Sequence, residues 1–169
     1  MLQDHEYLVV GGDSLVGGQV YRELKARSHR VLSTTRRKDT LNENRVFLDF
    51  EDKETFIIPK GIKHIFLVAA ATNYERCETD PMAREINVGL IPKTGDALLS
   101  QGVSVTYIST NSVFGGERAW PLEYDPHDPR IAYAQQKSES EKIILDVAKK
   151  QDCLNRLAIV RLTKILNVD

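Results

Sequence analysis

The stretch from Tyr7 to Gly18 narrows the possible folds more than any other part of the chain. Tyr7-Leu8-Val9-Val10 is a short apolar run that ends in Gly11-Gly12, and a helical pattern follows over residues 14–25, with Leu15, Val16, Val20 and Leu24 on one face. Strand, glycine turn, helix is the opening of a βαβ unit. Strand-like runs recur at residues 30–34, 46–48, 64–71, 103–109 and 157–162, and helices are expected at 78–101 and 133–150. The 64–71 run is continuous enough to be buried on both faces. Pro92 predicts a kink or local break in the long helix. This alternation predicts an α/β fold of the Rossmann type, a doubly wound parallel sheet with helices on both faces. With 169 residues and no linker or repeat, a single domain over residues 1–169 is expected.

The glycine turn reads as a dinucleotide cradle, Gly11-Gly12-Asp13-Ser14-Leu15-Val16-Gly17-Gly18. Gly11 permits a tight turn and Gly17 lets the helix approach the sheet, while the helix N-terminus offers free amides and a positive dipole end to a pyrophosphate. Ser14 stands where a glycine is usual; its hydroxyl either caps the helix or donates to phosphate. The second strand runs into Thr34-Thr35-Arg36-Arg37-Lys38. An acidic residue at this strand end binds the ribose 2′-hydroxyl of NAD, whereas a guanidinium suits a 2′-phosphate. Arg36 and Arg37, with no carboxylate expected nearby, therefore favour NADP(H) over NAD(H). Asp49-Phe50, after the third strand, either receives the adenine amino group or starts a turn. Ala69-Ala70-Ala71, after the fourth, is small enough for a ribose or nicotinamide to pass the backbone.

The fifth strand ends in Ser109-Thr110-Asn111-Ser112, which places hydroxyls at the carboxyl edge of the sheet, where ligands bind in open α/β folds. About twenty residues later come Tyr133 and Lys137. Four residues apart on a helix, they share one face, where the ammonium is expected to favour the phenolate and lower the tyrosine pKa. Hydroxyl, phenol and ammonium together form an acid-base set able to pass a proton to or from a carbonyl oxygen.

Composition removes other classes. A formal net charge of −1 gives no basic field for nucleic acid, so small molecules or proteins are the expected partners. Cys77 and Cys153 lie far apart, without metal-ligand spacing, which suits a reducing compartment and no metal. No apolar run approaches membrane-spanning length and the N-terminus is polar, so no membrane association and a cytoplasmic location are expected.

Taken together, these residues resemble the extended short-chain dehydrogenase/reductase family, most closely its nucleotide-sugar branch related to dTDP-4-dehydrorhamnose reductase. The similarity is carried by Gly11 to Gly17, by Ala69-Ala70-Ala71-Thr72-Asn73-Tyr74-Glu75-Arg76-Cys77-Glu78, by Glu85-Ile86-Asn87-Val88, by Ser109 to Phe114, by Pro121-Leu122-Glu123, by Tyr133 to Lys137 and by Arg161-Leu162-Thr163-Lys164. The resemblance implies that Tyr133 is the catalytic acid, that Lys137 holds the nicotinamide ribose and lowers the tyrosine pKa, and that Thr110, rather than Ser109, binds the substrate oxygen. It implies a structural role for Asn87, a nucleotide sugar as substrate, and a homodimer as the assembly to test. Ala134 and Asn111 depart from the family's usual glycine and aspartate. Family members continue past Thr163-Lys164 into a segment that covers the substrate, and this chain stops at Asp169, so either it is the N-terminal part of a longer protein or the substrate lobe is absent. Two alternatives to the reductase stay open: an NAD-dependent nucleotide-sugar epimerase or dehydratase, and a non-catalytic NADP-binding or regulatory subunit.

Overall fold

The computed structural model describes residues 5–52 and 58–163. Lys164, the last residue of the resemblance, and residues 1–4 of the polar N-terminus lie outside the described residues. Six strands form one sheet: β1 (Tyr7–Val10), β2 (Val31–Thr35), β3 (Arg45–Phe47), β4 (His64–Leu67), β5 (Ser104–Thr110) and β6 (Leu157–Leu162). They lie in the order β3-β2-β1-β4-β5-β6 with every neighbouring pair parallel. The helices are α1 (Leu15–Ala26), α2 (Tyr74–Thr79), α3 (Pro81–Arg84), α4 (Ile91–Ser100) and α5 (Ala132–Lys150). Because the strand order grows one way from β1 to β3 and the other way from β4 to β6, right-handed crossovers put α1 on one face and α4 and α5 on the other. The expected doubly wound fold is therefore present, and the reversal between β1 and β4 opens a crevice at the carboxyl edge.

The central strands are apolar for the expected reason. Leu8, Val10, Leu32, Ile65, Leu67, Leu98, Leu99, Tyr107 and Ile144 form the core and are essentially inaccessible. Each such side chain contributes roughly 1.5–3 kcal/mol of transfer free energy. Among the described residues, no helix is long and apolar enough to cross a membrane.

Three elements differ from the sequence reading. The strand expected at 64–71 stops at Leu67, because the Val10 carbonyl accepts from both Val68 N (3.0 Å) and Ala69 N (2.9 Å) as the chain leaves the ladder. Leu15 is exposed rather than on the buried face of α1, where only Gly17 is fully buried. The helix expected at 78–101 is a broken series that begins earlier. Asn73 caps α2 by accepting from Arg76 N (2.8 Å), and Asp80 caps α3 by accepting from Met82 N (2.8 Å), with Pro81 at the first helical position. A π-helical turn, Glu85–Leu90, then precedes α4. Pro92 is the second residue of α4, two beyond the π turn; the missing N–H and the bulk of the ring disfavour a regular α-helical turn before it, so the expected break is real.

Asn87 stands in that π turn, wholly buried. Its Oδ1 accepts from Ala71 N (2.9 Å), and its Nδ2 donates to Ala71 O (2.9 Å) and to Gln136 Oε1 (2.8 Å). The side-chain amide thus continues the backbone pairing of β4 past the point where the ladder ends, and ties it to α5. Ser140 Oγ donates to the Asn87 carbonyl (2.8 Å), and Gln136 Nε2 to the Cys77 carbonyl (2.9 Å). Replacing Asn87 by Ala leaves Ala71 N and Gln136 Oε1 without a partner in the interior, and leaves Ala71 O with only the Cys77 thiol. At 1–3 kcal/mol for each unsatisfied group, the expected loss is about 3 kcal/mol or more, read as a fall in the urea midpoint.

Candidate functional site

A cavity of about 400 Å3 lies at the carboxyl ends of β1, β2 and β4, in the crevice that the strand order opens. Its floor is the glycine turn. Gly11 has φ +98°, and a Cβ there would meet Ala69 N at 2.7 Å; a Cβ on Gly17 would overlap the Gly11 carbonyl. Both glycines are therefore required by shape, since the turn, β4 and α1 approach through their missing side chains. Ser14 takes the first of its two sequence-level alternatives. Its Oγ donates to Gly11 O (2.8 Å) and accepts from Gly17 N (3.0 Å), capping α1. The amides of Leu15 and Val16 remain as orphan donors of the first helical turn at the positive end of its dipole. This cradle fits a pyrophosphate.

Of the residues read as cofactor-binding, Gly11, Asp13, Ser14 and Arg36 line the cavity on one side, and Asp49, Phe50, Ala69, Ala70 and Ala71 on the other. Asp49 also makes the turn given as its alternative, Oδ1 accepting from Glu51 N (3.1 Å). Gly17 lies behind the wall as a packing residue. Arg37 does not line the cavity, and its guanidinium is bonded to Asp13.

The corner at the end of β2 corrects the expectation that no carboxylate stands near the arginines. Asp13 reaches it from the glycine turn. Its Oδ2 accepts from Thr35 Oγ1 (2.6 Å), and its Oδ1 accepts from Arg37 (3.1 Å) and forms a close ion pair with Arg45. Partial burial opposes ionisation of Asp13, but the hydrogen bonds from Thr35 and Arg37 and the charge of Arg45 outweigh it and hold the carboxyl below its ordinary range. Arg45 and Thr35 carried no functional signal in the sequence, because their role depends on a residue more than twenty positions away.

The residues read as an acid-base set, Thr110, Tyr133 and Lys137, sit further along the same edge and are not among those that line the cavity. Lys137 is 2% exposed; its Nζ donates to Ile108 O (2.7 Å) and lies 4.0 Å from the centroid of the Tyr107 ring. Burial pushes its pKa down to about 7, with the Glu141 charge opposing. Tyr133 is half-buried, packs against the small cluster of Ala71, Cys77 and Ala83, and stacks on Tyr74 at 5.6 Å between centroids. Its pKa is pushed up to about 12, chiefly by burial and then by Tyr74 and Cys77. The expected lowering by Lys137 is thus absent: the lysine is spent on the β5 carbonyl and the Tyr107 ring, and desolvation of the phenol wins. Thr110 Oγ1 donates to Ser112 Oγ (3.1 Å) and accepts from Ser112 N (3.2 Å), while Ser109 Oγ is buried with no hydrogen-bond partner among the described residues. Tyr74, which enters the sequence reading only as part of a family stretch and without a role, is marked by its place beside Tyr133.

The loop from β5 to α5 is fixed at its base by Arg161 of β6. This guanidinium forms a bidentate pair with the buried Glu141 (Nε to Oε1 3.2 Å, Nη2 to Oε2 2.7 Å), donates to Glu123 O (2.9 Å) and meets His127 Nε2 (3.1 Å). His127 Nδ1 in turn bonds Ser138 Oγ (2.8 Å).

The family described as RmlD substrate binding domain matches residues 5–167. The chain belongs to that family. No curated protein sequence matches it. Among solved structures, a hypothetical dTDP-4-dehydrorhamnose reductase from Sulfolobus tokodaii is 25% identical with a TM-score of 0.77, over 97% of this chain and 57% of its own. A dTDP-4-dehydrorhamnose reductase from Clostridium acetobutylicum is 26% identical, TM-score 0.69, over 92% and 52%. MoeE5, solved in complex with UDP-glucose and NAD, shares the fold at 24% identity and TM-score 0.74, over 91% and 52%. The chain thus spans about half the length of these relatives.

The lysine carries a stability signature. Between its folded value of about 7 and its ordinary 10.5, the unfolded chain binds a proton that the folded chain does not, so stability rises with pH through that window and is flat below it. Cys77, whose thiol burial pushes up, acts the other way at the alkaline end. Urea midpoints from about pH 7 to about pH 9 are expected to rise more steeply for the wild type than for Lys137→Met, the difference isolating Lys137.

Proposed function

We propose that residues 1–169 form the nicotinamide-dinucleotide-binding domain of a reductase acting on the keto group of a nucleotide-activated deoxysugar. The observation that carries this reading is one shared edge: the glycine cradle, Thr110, Tyr133 and Lys137 all lie at the carboxyl ends of the strands in a family of this kind. The reductase names of the Sulfolobus and Clostridium relatives support the chemistry, and the UDP-glucose and NAD of the MoeE5 complex support the two ligand classes. A cytoplasmic homodimer belongs to the same reading.

The Gly11–Gly17 turn and the first amides of α1 hold the pyrophosphate, and Ala69, Ala70 and Ala71 leave room for the ribose and nicotinamide beyond it. The bound dinucleotide supplies the hydride. Tyr133, whose raised pKa of about 12 keeps the phenol protonated at neutral pH, gives its proton to the substrate carbonyl oxygen as the alkoxide charge develops. Thr110 donates a hydrogen bond to the same oxygen after its hydroxyl turns from Ser112. The Lys137 amine keeps one donor on Ile108 O and has the others for ribose hydroxyls. Arg36, on the cavity wall, supports NADP(H); Asp13, beside it, acts against a 2′-phosphate.

The test is oxidation of NADPH and NADH by a 4-keto nucleotide sugar, using the protein expressed from its full natural reading frame. Turnover is expected in the wild type, and Tyr133→Phe is expected to lower kcat by about 100-fold or more with KM little changed. Absence of turnover with both cofactors, or an unchanged kcat in the variant, overturns the reading.

A further inference from the structure

We infer that Asp13 is the specificity-determining residue for the adenosine ribose, and that it turns the basic corner at the end of β2 toward NAD(H) and away from NADP(H). The inference rests on the dinucleotide reading of the cradle and goes beyond it by assigning the cofactor choice to one side chain.

Three observations converge on Asp13. Its position comes first. The ribose 2′ substituent of a bound dinucleotide is read at the end of β2, where a carboxylate selects a hydroxyl and a guanidinium selects a phosphate. At that strand end the chain places Thr35, which has no charge, but Thr35 Oγ1 holds the Asp13 carboxylate at 2.6 Å. The acidic group absent from the end of β2 is thus supplied from the glycine turn.

The second observation is which groups face the cavity. Asp13, Thr35 and Arg36 form its wall, whereas Arg37 and Arg45 do not. Both of those guanidiniums are drawn onto Asp13 Oδ1. An incoming 2′-phosphate therefore meets the carboxylate before it meets Arg37, one of the two cations that the sequence assigns to it, or Arg45. Binding the phosphate through Arg37 would require breaking its 3.1 Å bond to Asp13 and leaving the Asp13 charge beside a dianion.

The third is acceptor capacity. A carboxylate has about four lone-pair sites. Asp13 Oδ1 serves two guanidiniums, but Oδ2 takes one short bond, from Thr35, and otherwise only a long one of 3.4 Å from Arg36 N. The oxygen with spare capacity is free to accept a ribose hydroxyl. Since a phosphate oxygen carries no proton to donate in its dianionic form, the same oxygen repels it. Arg36 remains on the wall as the group that moderates this discrimination.

The experiment is calorimetric titration of the full chain with NADH and NADPH, for wild type and Asp13→Asn. The wild type is expected to bind NADH at least about tenfold more tightly than NADPH, and Asp13→Asn to reduce that ratio by about tenfold or more, chiefly by strengthening NADPH binding. An NADPH preference in the wild type, or a ratio unchanged in a variant that still binds NADH, overturns the role of Asp13 while leaving the dinucleotide reading intact. Failure of both dinucleotides to bind the wild type overturns the dinucleotide reading itself and this inference with it. Should Asp13→Asn not fold, the wild type alone decides: adenosine 2′,5′-bisphosphate is expected to bind no more tightly than adenosine 5′-monophosphate, and an affinity gain of about tenfold from the 2′-phosphate overturns the assignment.

Discussion

One side-chain amide, that of Asn87, holds the half of the crevice that the sheet alone does not reach. The β4 ladder ends at Leu67, yet Ala71 must stay close to the sheet edge while the chain turns into α2. Asn87, in the π turn, supplies the donor and the acceptor that a neighbouring strand would have supplied. The same amide reaches Gln136 on α5, one residue from Lys137. Backbone at one side of the cavity and the helix bearing Tyr133 and Lys137 are therefore positioned by a single buried group. Burying an amide is costly unless its donors and acceptor are satisfied; here both ends of it are.

The two ends of the crevice differ in their electrostatics. At the β2 end, charge is balanced in the open: Asp13 stands among several cations, in a region where water screens part of every interaction. At the β5 end, the ammonium of Lys137 is almost fully enclosed and its chief partners are a carbonyl and a ring face. Water loss, rather than a counter-ion, dominates the behaviour of both Lys137 and Tyr133. Groups governed by desolvation respond strongly to anything that enters or leaves the site, because a ligand changes the medium around them as well as their contacts.

The fold was legible because its signals are local. Apolar runs, Gly11 and Gly17, and the alternation of periods each occupy a few adjacent residues, and the parallel sheet follows from their order. Tyr133 and Lys137 were legible as a pair on one helical face for the same reason. Asp13 was not. Its sequence position says only that it lies in a glycine turn, and its partners Thr35, Arg37 and Arg45 arrive from the next two strands. The broken helix was half legible: Pro92 announced a break, but the earlier start depends on Asn73 acting as a cap and the restart at Pro81 on Asp80, which many asparagines and aspartates at such positions do not do. Helical spacing predicts proximity of Tyr133 to Lys137 and is silent on how deeply both are buried, so it gives the wrong sign for the tyrosine shift.

Arg161 makes the rim of the crevice depend on a strand that does not line the cavity. The loop between β5 and α5 is closed at its base by a guanidinium thirty-four residues beyond His127, on the strand at the far edge of the sheet. Without that guanidinium, Glu141 on α5 would be a buried carboxylate lacking the cation that neutralises its charge. A chain cut before β6 would therefore keep the residues of the cradle and lose the clamp on the rim beside Thr110.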